Sequence, residues 1–289
     1  MTSIIYKINL KRNYGYKLSP LRYPGGKTKA IKELINYIPP SFDEFREPMV
    51  GGGSFFLNLK KRYPDKKIWI NDINTNLIAF WSTLKEHPTD LVNSLLEIKG
   101  NSKNGKELYK NYKYTNTENI GKFEKAVRFF ILNRISYSGL TEYGGYSQLS
   151  YEKRFTTNSI EKLENISILL KNVKITSQPY QNLLKTSNRN VFVYLDPPYQ
   201  NVISSNLYGR NGKMFDPMEL DSFLKKVNFK WLLTYDKSPP ITNIYNKINN
   251  EINIKEVTIQ YGTNCSKKSK DRKAKMGTEL YISNCDIQK

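Results

Sequence analysis

Apolar residues in this chain gather into short unbroken runs, separated by stretches in which they recur every three or four positions. The runs EFREPMV (44–50), KIWIND (67–72), NVKITSQ (172–178), NVFVYLD (190–196) and KWLLTYD (230–236) are rich in β-branched and aromatic residues. They predict strands covered on both faces, as in a parallel sheet. KTKAIKELINYI (27–38) and MELDSFLKKV (218–227) carry the helical period instead. Near the C-terminus, EVTIQYG (256–262) and ELYISNC (279–285) predict an antiparallel hairpin that closes the sheet at seven strands. Strand and helix thus alternate, the signature of an α/β domain. The alternation breaks once, between residues 83 and 166, a block longer than the single helix a crossover needs. It holds the amphipathic FEKAVRFFILNR (123–134) and the Gly/Ser/Tyr-rich SYSGLTEYGGYSQLSYEKRF (136–155). The expected organisation is one α/β domain made of residues 15–82 and 167–289, with 83–166 as an inserted, mostly helical subdomain.

Composition narrows the partners. Lys and Arg number 46 against 26 Asp and Glu in 289 residues, a net charge of +20. That excess implies a polyanion, either nucleic acid or an anionic membrane, unless it is only a lysine-rich solvated surface. No run of 18 apolar residues and no signal-peptide pattern is present, so a cytoplasmic protein with no membrane association is expected. Two cysteines, Cys265 and Cys285, and one histidine, His87, are too few for a zinc site or a histidine-based triad. No metal is expected, and the chemistry falls to carboxylates, backbone groups, tyrosines or a bound cofactor.

Three stretches can carry such chemistry. In REPMVGGGSFF (46–56) a strand runs into three glycines, which lets a ligand approach the backbone. Phe56 occupies the third glycine position of a dinucleotide fingerprint, so no diphosphate is required. Asp72 ends the next strand, where a carboxylate can accept from both ribose hydroxyls, and the pair points to a nucleoside-bearing cofactor. YPGGKTK (23–29) ends like a phosphate-binding loop, but Leu21 stands where that motif needs glycine. A Gly-Gly turn beside Lys27 suits a small anion such as a carboxylate, or is a plain helix start.

The third stretch, LDPPYQ (195–200), follows a strand with a carboxylate, two residues without an N–H and a ring. Asp196 and the carbonyl of Pro197, stiffened by Pro198, can each accept one hydrogen of a planar exocyclic amine such as adenine N6. Two acceptors draw the lone pair out of conjugation and make a poor nucleophile usable. Tyr199 offers a stacking surface, worth about 1–3 kcal/mol per base. The bland alternative is a proline-stiffened loop with a capping Asp.

Taken together, these residues resemble the DNA adenine-N6 methyltransferases, alpha class, of the DPPY type related to the GATC adenine methylases. YPGGK is similar to their N-terminal cofactor motif, EPMVGGGSFF to their glycine loop and NDINTNLI (71–78) to their ribose-binding segment. LNRISYSGLTEYGGYS (132–147) resembles their recognition hairpin, and YGTNCSKKSKDRKAKMGTELYISN (261–284) their C-terminal hairpin. The resemblance implies a Rossmann-like S-adenosylmethionine-dependent fold in which the insert is a target-recognition subdomain. It implies S-adenosylmethionine contacts at Tyr23, Lys27, Glu47, Gly51, Gly53, Asp72 and Asp196, with Asp196, Pro197 and Tyr199 as catalytic residues. One departure is Pro179 in SQPYQ (177–181), at a position where relatives carry an acid for the cofactor adenine; Gln178 and Tyr180 are the substitutes.

The implied partner is double-stranded DNA, from which the target adenine must be flipped at a cost of a few kcal/mol. Arg128, Arg134, Tyr137, Tyr143 and Tyr146 are the candidates for reading bases or filling the gap. Lys267, Lys268, Lys270, Arg272, Lys273 and Lys275 would clamp the backbone, or form a solvated loop. A monomer is expected, or a dimer on DNA, with a cognate restriction endonuclease as a further partner. Rival readings are methylation of cytosine N4 or of adenine N6 in RNA, and a DNA-binding protein that keeps the scaffold with impaired catalysis.

Overall fold

In the computed structural model, which describes residues 17–185, 190–199, 215–245, 252–260 and 276–285, seven strands form one sheet. They are β1 (Glu44–Glu47), β2 (Lys67–Asn71), β3 (Val173–Thr176), β4 (Val191–Leu195), β5 (Lys230–Asp236), β6 (Asn253–Gln260) and β7 (Met276–Ser283). Their order is β3-β2-β1-β4-β5-β7-β6. β1 to β5 are parallel, and β7 runs antiparallel to both β5 and β6. The mixed, Rossmann-like sheet with its closing hairpin is therefore the one expected, with shifted ends. β1 stops at Glu47 because Pro48 has no N–H for the ladder, and the Val50 N–H turns to the Asn71 carbonyl at 2.8 Å. β6 starts at Asn253 because β7 offers partners as far as Ser283.

The all-apolar sequence of β4 follows from burial on two sides. Phe192 and Tyr194 point into one core, while Val191, Val193 and Leu195 point into the other. The second core is covered by α9 (Gln181–Leu184), α10 (Pro217–Leu224) and α11 (Pro239–Tyr245), through Leu184, Leu220, Leu224, Ile241 and Tyr245. The first is covered by α1 (Ile31–Leu34), α2 (Ser54–Arg62), α3 (Thr75–Glu86) and the helices that follow. The helix expected over 27–38 is broken: 3-10 turns at Lys27–Lys29 and Ile35–Tyr37 flank α1. An Ala30 N–H to Lys27 carbonyl bond of 2.8 Å tightens its start, and this turns the Lys27 side chain inward.

Residues 88–169 form α4 (Pro88–Asn101), α5 (Gly105–Lys113), α6 (Lys122–Ile135), α7 (Gln148–Arg154) and α8 (Thr157–Leu169). α6 differs from the one-sided helix its sequence suggested. It is buried continuously from Ala126 to Asn133, except that Arg134 beyond is partly open, because α3, α4, α5 and α7 surround it. Phe130 stacks on Phe80 of α3 with ring centroids 5.8 Å apart. Phe129, Phe130, Ile131 and Leu132 belong to the same buried cluster as Phe45, Ile68 and Ile70 of the sheet. Each such side chain contributes about 1.5–3 kcal/mol on burial, so these helices share their core with the sheet.

Strand order reverses between β1 and β4, and in open α/β sheets ligands bind at the carboxyl ends of the strands at such a switch point. No described helix is long and apolar enough to cross a membrane.

Candidate active site

A cavity of about 460 Å³ opens at that switch point, within the range of about 300–1,000 Å³ usual for ligand sites. Four strand ends supply its wall: Glu47 of β1, Asp72 after β2, Gln178 after β3 and Asp196 after β4.

The glycine loop lies between the first two. Gly51 (φ 46°) and Gly53 (φ 69°) sit in the left-handed region that other residues resist. A Cβ on Gly51 would come within 2.8 Å of the Tyr23 ring, and one on Gly53 within 2.7 Å of Trp81. The loop is thus glycine for packing as much as for ligand approach: Tyr23 lies over it, and Trp81 Nε1 donates to the Gly51 carbonyl at 3.2 Å. Asp72 accepts from the Gly51 N–H through Oδ2 and from the Asn74 N–H through Oδ1, both at 3.0 Å. Burial pushes its pKa up, while those backbone bonds pull it down. Each oxygen keeps acceptor capacity for a hydroxyl. Glu47 accepts from the Phe56 N–H at 2.9 Å. Burial first, and then the charge of Asp196, pushes its pKa well above the usual carboxylate range.

Asn71, absent from the sequence expectations, staples three strand ends. Its amide donates to the carbonyls of Pro48 (3.0 Å) and Gln178 (2.9 Å), and its Oδ1 accepts from the Gln178 N–H (3.0 Å) and the Thr176 hydroxyl (2.9 Å). A buried Asn at the end of the apolar run KIWIN was the signal for it.

Around Asp196 the bonds come from side chains. Its Oδ1 accepts from Lys27 Nζ at 2.6 Å and from the Thr234 hydroxyl at 2.9 Å, leaving Oδ2 for an incoming donor. Lys27 also donates to the Gly25 carbonyl (3.1 Å) and the Tyr199 hydroxyl (2.6 Å) and lies 3.8 Å from Glu279. Its ammonium is committed to this network, although the side chain was expected to meet the cofactor. Tyr199 is placed differently from a base shelf. It is buried and off the cavity wall, with its ring stacked on Tyr235 at 5.7 Å. Burial, followed by the Asp196 charge, pushes its phenol pKa well up, so it stays a neutral donor. Pro198, not the buried Pro197, lines the cavity, and the Pro198 carbonyl accepts from the Tyr235 hydroxyl at 3.2 Å. Thr234 and Tyr235, neighbours on β5, therefore hold the two ends of the Asp-Pro-Pro-Tyr turn.

At the far end, Gln178, Pro179 and Tyr180 line the cavity with Glu219 of α10. Glu219 accepts from the Tyr180 hydroxyl at 3.3 Å and from the Gln181 amide at 3.0 Å. A carboxylate thus reaches this region from another element, where position 179 has none.

The expected DNA contacts divide. Tyr137 and Tyr143 are about half exposed on the turn after α6, and Tyr143 lines the cavity rim. That turn holds Ser138 and Thr141 at φ 52°, a strained backbone of the kind that collects at ligand sites. Tyr146 packs against Tyr109 and bonds Gln148. The two arginines correct the expectation of base reading. Arg128 is buried and donates to Glu142 at 2.8 Å and to the carbonyls of Tyr112 and Lys113. Arg134 donates to the Pro20 carbonyl and lies over the Phe130 ring. Both guanidinium groups are turned into the protein by these bonds. Lys267, Lys268, Lys270, Arg272, Lys273 and Lys275 lie outside the described residues.

The family model for the D12 class N6 adenine-specific DNA methyltransferases matches residues 23–262. Type II methyltransferase M.MjaIII of Methanocaldococcus jannaschii is 27% identical over 288 residues, covering 91% of this chain and 98% of that protein. Type II methyltransferase M1.LlaDCHI of Lactococcus lactis subsp. cremoris is 26% identical over 295 residues, covering 96% and 99%. The DNA adenine methylase of Escherichia coli K12 is 26% identical over 196 residues, 66% of each chain.

Proposed function

This chain belongs to the D12 class N6 adenine-specific DNA methyltransferases, and from that premise we propose that its cavity holds S-adenosylmethionine and that Asp196 receives the amino group of an adenine turned out of duplex DNA. The observation that carries this reading is the Asp196 carboxylate on the cavity wall, with one oxygen fixed by Lys27 and Thr234 and the other open.

The donor set fits that cofactor. Glu47, Asp72 and Asp196 face the cavity, and Glu47 is held above its usual pKa by burial and then by the Asp196 charge, a balance that a sulfonium or an ammonium would offset. Asp72 would take the ribose hydroxyls; Gln178, Tyr180 and Glu219 would take the adenine, with Glu219 replacing the acid missing at Pro179. Tyr23, Gly51 and Gly53 would wall the methionine end. Bound there, S-adenosylmethionine would supply an electrophilic methyl group. Asp196 accepts one hydrogen of the target amine, which frees the nitrogen lone pair, and the proton lost afterwards passes to Asp196 or to water. Lys27 and Thr234 keep the carboxylate aimed, so alignment supplies much of the rate.

Tyr137 and Tyr143 stand where they could fill the space left by the flipped base, residues 83–166 would recognise the target, and the basic stretch 267–275 would clamp the backbone. Because two relatives are named type II methyltransferases, we extend to this chain pairing with a restriction endonuclease, acting as a cytoplasmic monomer or as a dimer on DNA. The test is incubation with labelled S-adenosylmethionine and genomic DNA, then single-molecule sequencing. N6-methyladenine at one short sequence is expected; label in cytosine, in RNA alone or in neither would overturn the reading.

A further inference from the structure

Arg22, whose Nη1 reaches the Arg134 carbonyl at 3.5 Å and the Ser150 hydroxyl at 3.0 Å, stands with Arg134 and Arg154 in one basic cluster, and among the described residues none of the three has a carboxylate partner. Arg22 Nη1 also donates to the Ser136 carbonyl at 3.2 Å. Arg134 of α6 bonds Pro20, and its Nε is sealed from solvent without a hydrogen-bond partner. Arg154 ends α7 one turn beyond Ser150, exposed. The mutual repulsion registers on the two partly buried members. The Arg134 guanidinium is pushed down to about 10 by burial, then by Arg22 and Arg154, and Arg22 is lowered by burial and then by Arg154. Three guanidinium charges with no acid paired to them favour an anion that arrives from outside.

Position says which anion. Arg22 directly precedes Tyr23 and Pro24, which line the cavity, and its backbone is tied to the turn carrying Tyr137 and Tyr143. The tie is Asn133, which accepts from the Arg22 N–H at 3.0 Å and donates to the carbonyls of Arg22 (2.8 Å) and Gly139 (3.1 Å). Gly139 sits so close that a Cβ there would fall 2.1 Å from the Arg22 carbonyl oxygen. A strand that delivers a nucleotide to the cavity across this turn brings its backbone alongside the arginines. Guanidinium groups match phosphate oxygens in charge and fork geometry.

We propose that Arg22 and Arg154, backed by Arg134, form a site for one DNA backbone phosphate next to the flipped nucleotide. The proposal rests on the DNA-methylating reading given above. It assigns to Arg134 a supporting charge, not base recognition, and brings in two arginines that sequence patterning had not marked.

The test uses Arg154→Gln in the full chain, since the exposed Arg154 side chain makes none of the described bonds that hold the fold. Affinity for a duplex carrying the methylated sequence is measured against salt concentration. Loss of one phosphate contact should weaken binding uniformly and reduce the slope of log affinity against log salt by about 1. The choice of sequence should stay unchanged, and Arg154→Lys should restore the slope. An unchanged slope and affinity in Arg154→Gln would overturn the site. So would displacement of inorganic phosphate from the wild type that Arg154→Gln abolishes without altering the DNA slope, because that marks a free-phosphate site. A wild type that methylates DNA while the variant shows the same slope defeats this proposal alone. A wild type that binds no duplex DNA defeats the parent reading with it.

Discussion

Asp72 and Asp196 end β2 and β4, two parallel strands with only β1 between them, and both face one cavity, yet they are held in opposite ways. Asp72 is 9% exposed and bonded by the backbone N–H groups of Gly51 and Asn74, which cannot leave without remaking the glycine loop. The Asp196 side chain is 21% exposed and bonded by the side chains of Lys27 and Thr234, both on one oxygen. A carboxylate fixed by backbone suits an unchanging ligand group such as a sugar edge. One held by side chains can exchange partners as a target arrives and leaves. The difference separates a binding acid from a reacting one more sharply than burial or distance would.

The largest effect is expected from Asp196→Ala. Methyl transfer should fall by at least about 10²–10³, the scale for losing one preorganised polar partner of a reacting group. Cofactor and DNA affinity should stay close to wild type in equilibrium titrations; near-normal turnover would end the catalytic assignment. Asp72→Asn should do the reverse. Losing charge-assisted bonds worth about 1.5–3 kcal/mol each should raise the Kd for S-adenosylmethionine by about 10–100-fold. Turnover at saturating cofactor should survive, and a collapse there with affinity intact would erase the distinction.

The two acids were also the most legible part of the site, because each ends an apolar run and its local sequence announces it. The sheet was legible for the same reason. Where one side chain depends on a distant segment, the sequence was silent. Thr234 lies 38 positions from Asp196, and its only signal is a polar residue inside KWLLTYD, a strand buried on both faces. Glu219 reaches Tyr180 across 39 positions, and Asn133 ties Arg22 across 111. Arg128 misled for the converse reason: a charge on a helix reads as surface until a partner such as Glu142 and the surrounding helices turn it inward. α6 reads as amphipathic because the helices that bury its second face lie elsewhere in the chain.

A smaller effect is expected at Thr234, one of the two side chains that hold Asp196. Thr234→Val keeps the shape and removes the donor to Asp196 Oδ1, so kcat should fall about tenfold, the equivalent of one hydrogen bond of about 1–1.5 kcal/mol. The KM for S-adenosylmethionine should not move, and Thr234→Ser should restore kcat. A matching loss from Thr234→Ser, or a rise in cofactor KM instead of a fall in kcat, would make Thr234 a packing residue.

The smallest effect is on stability, and it comes from Glu47, which stands on the strand between the two acids. Burial and the Asp196 charge raise its folded-state pKa well above the unfolded value. Between those two values the folded chain holds a proton that the unfolded chain has lost. Stability therefore falls as pH rises from the ordinary carboxylate range toward the raised pKa, and is fully retained only below that ordinary range. Glu47→Gln, which cannot ionise, should abolish this decline. In urea titrations without ligand, the wild type should lose stability relative to the variant as pH rises above the ordinary carboxylate range. A cationic cofactor should reverse the ranking, since it favours the ionised Glu47 and leaves the glutamine without a charge to offer. Parallel pH profiles for the two proteins without ligand would show that Glu47 is ionised in the free cavity, and that the acid of β1 is balanced there as Asp196 is.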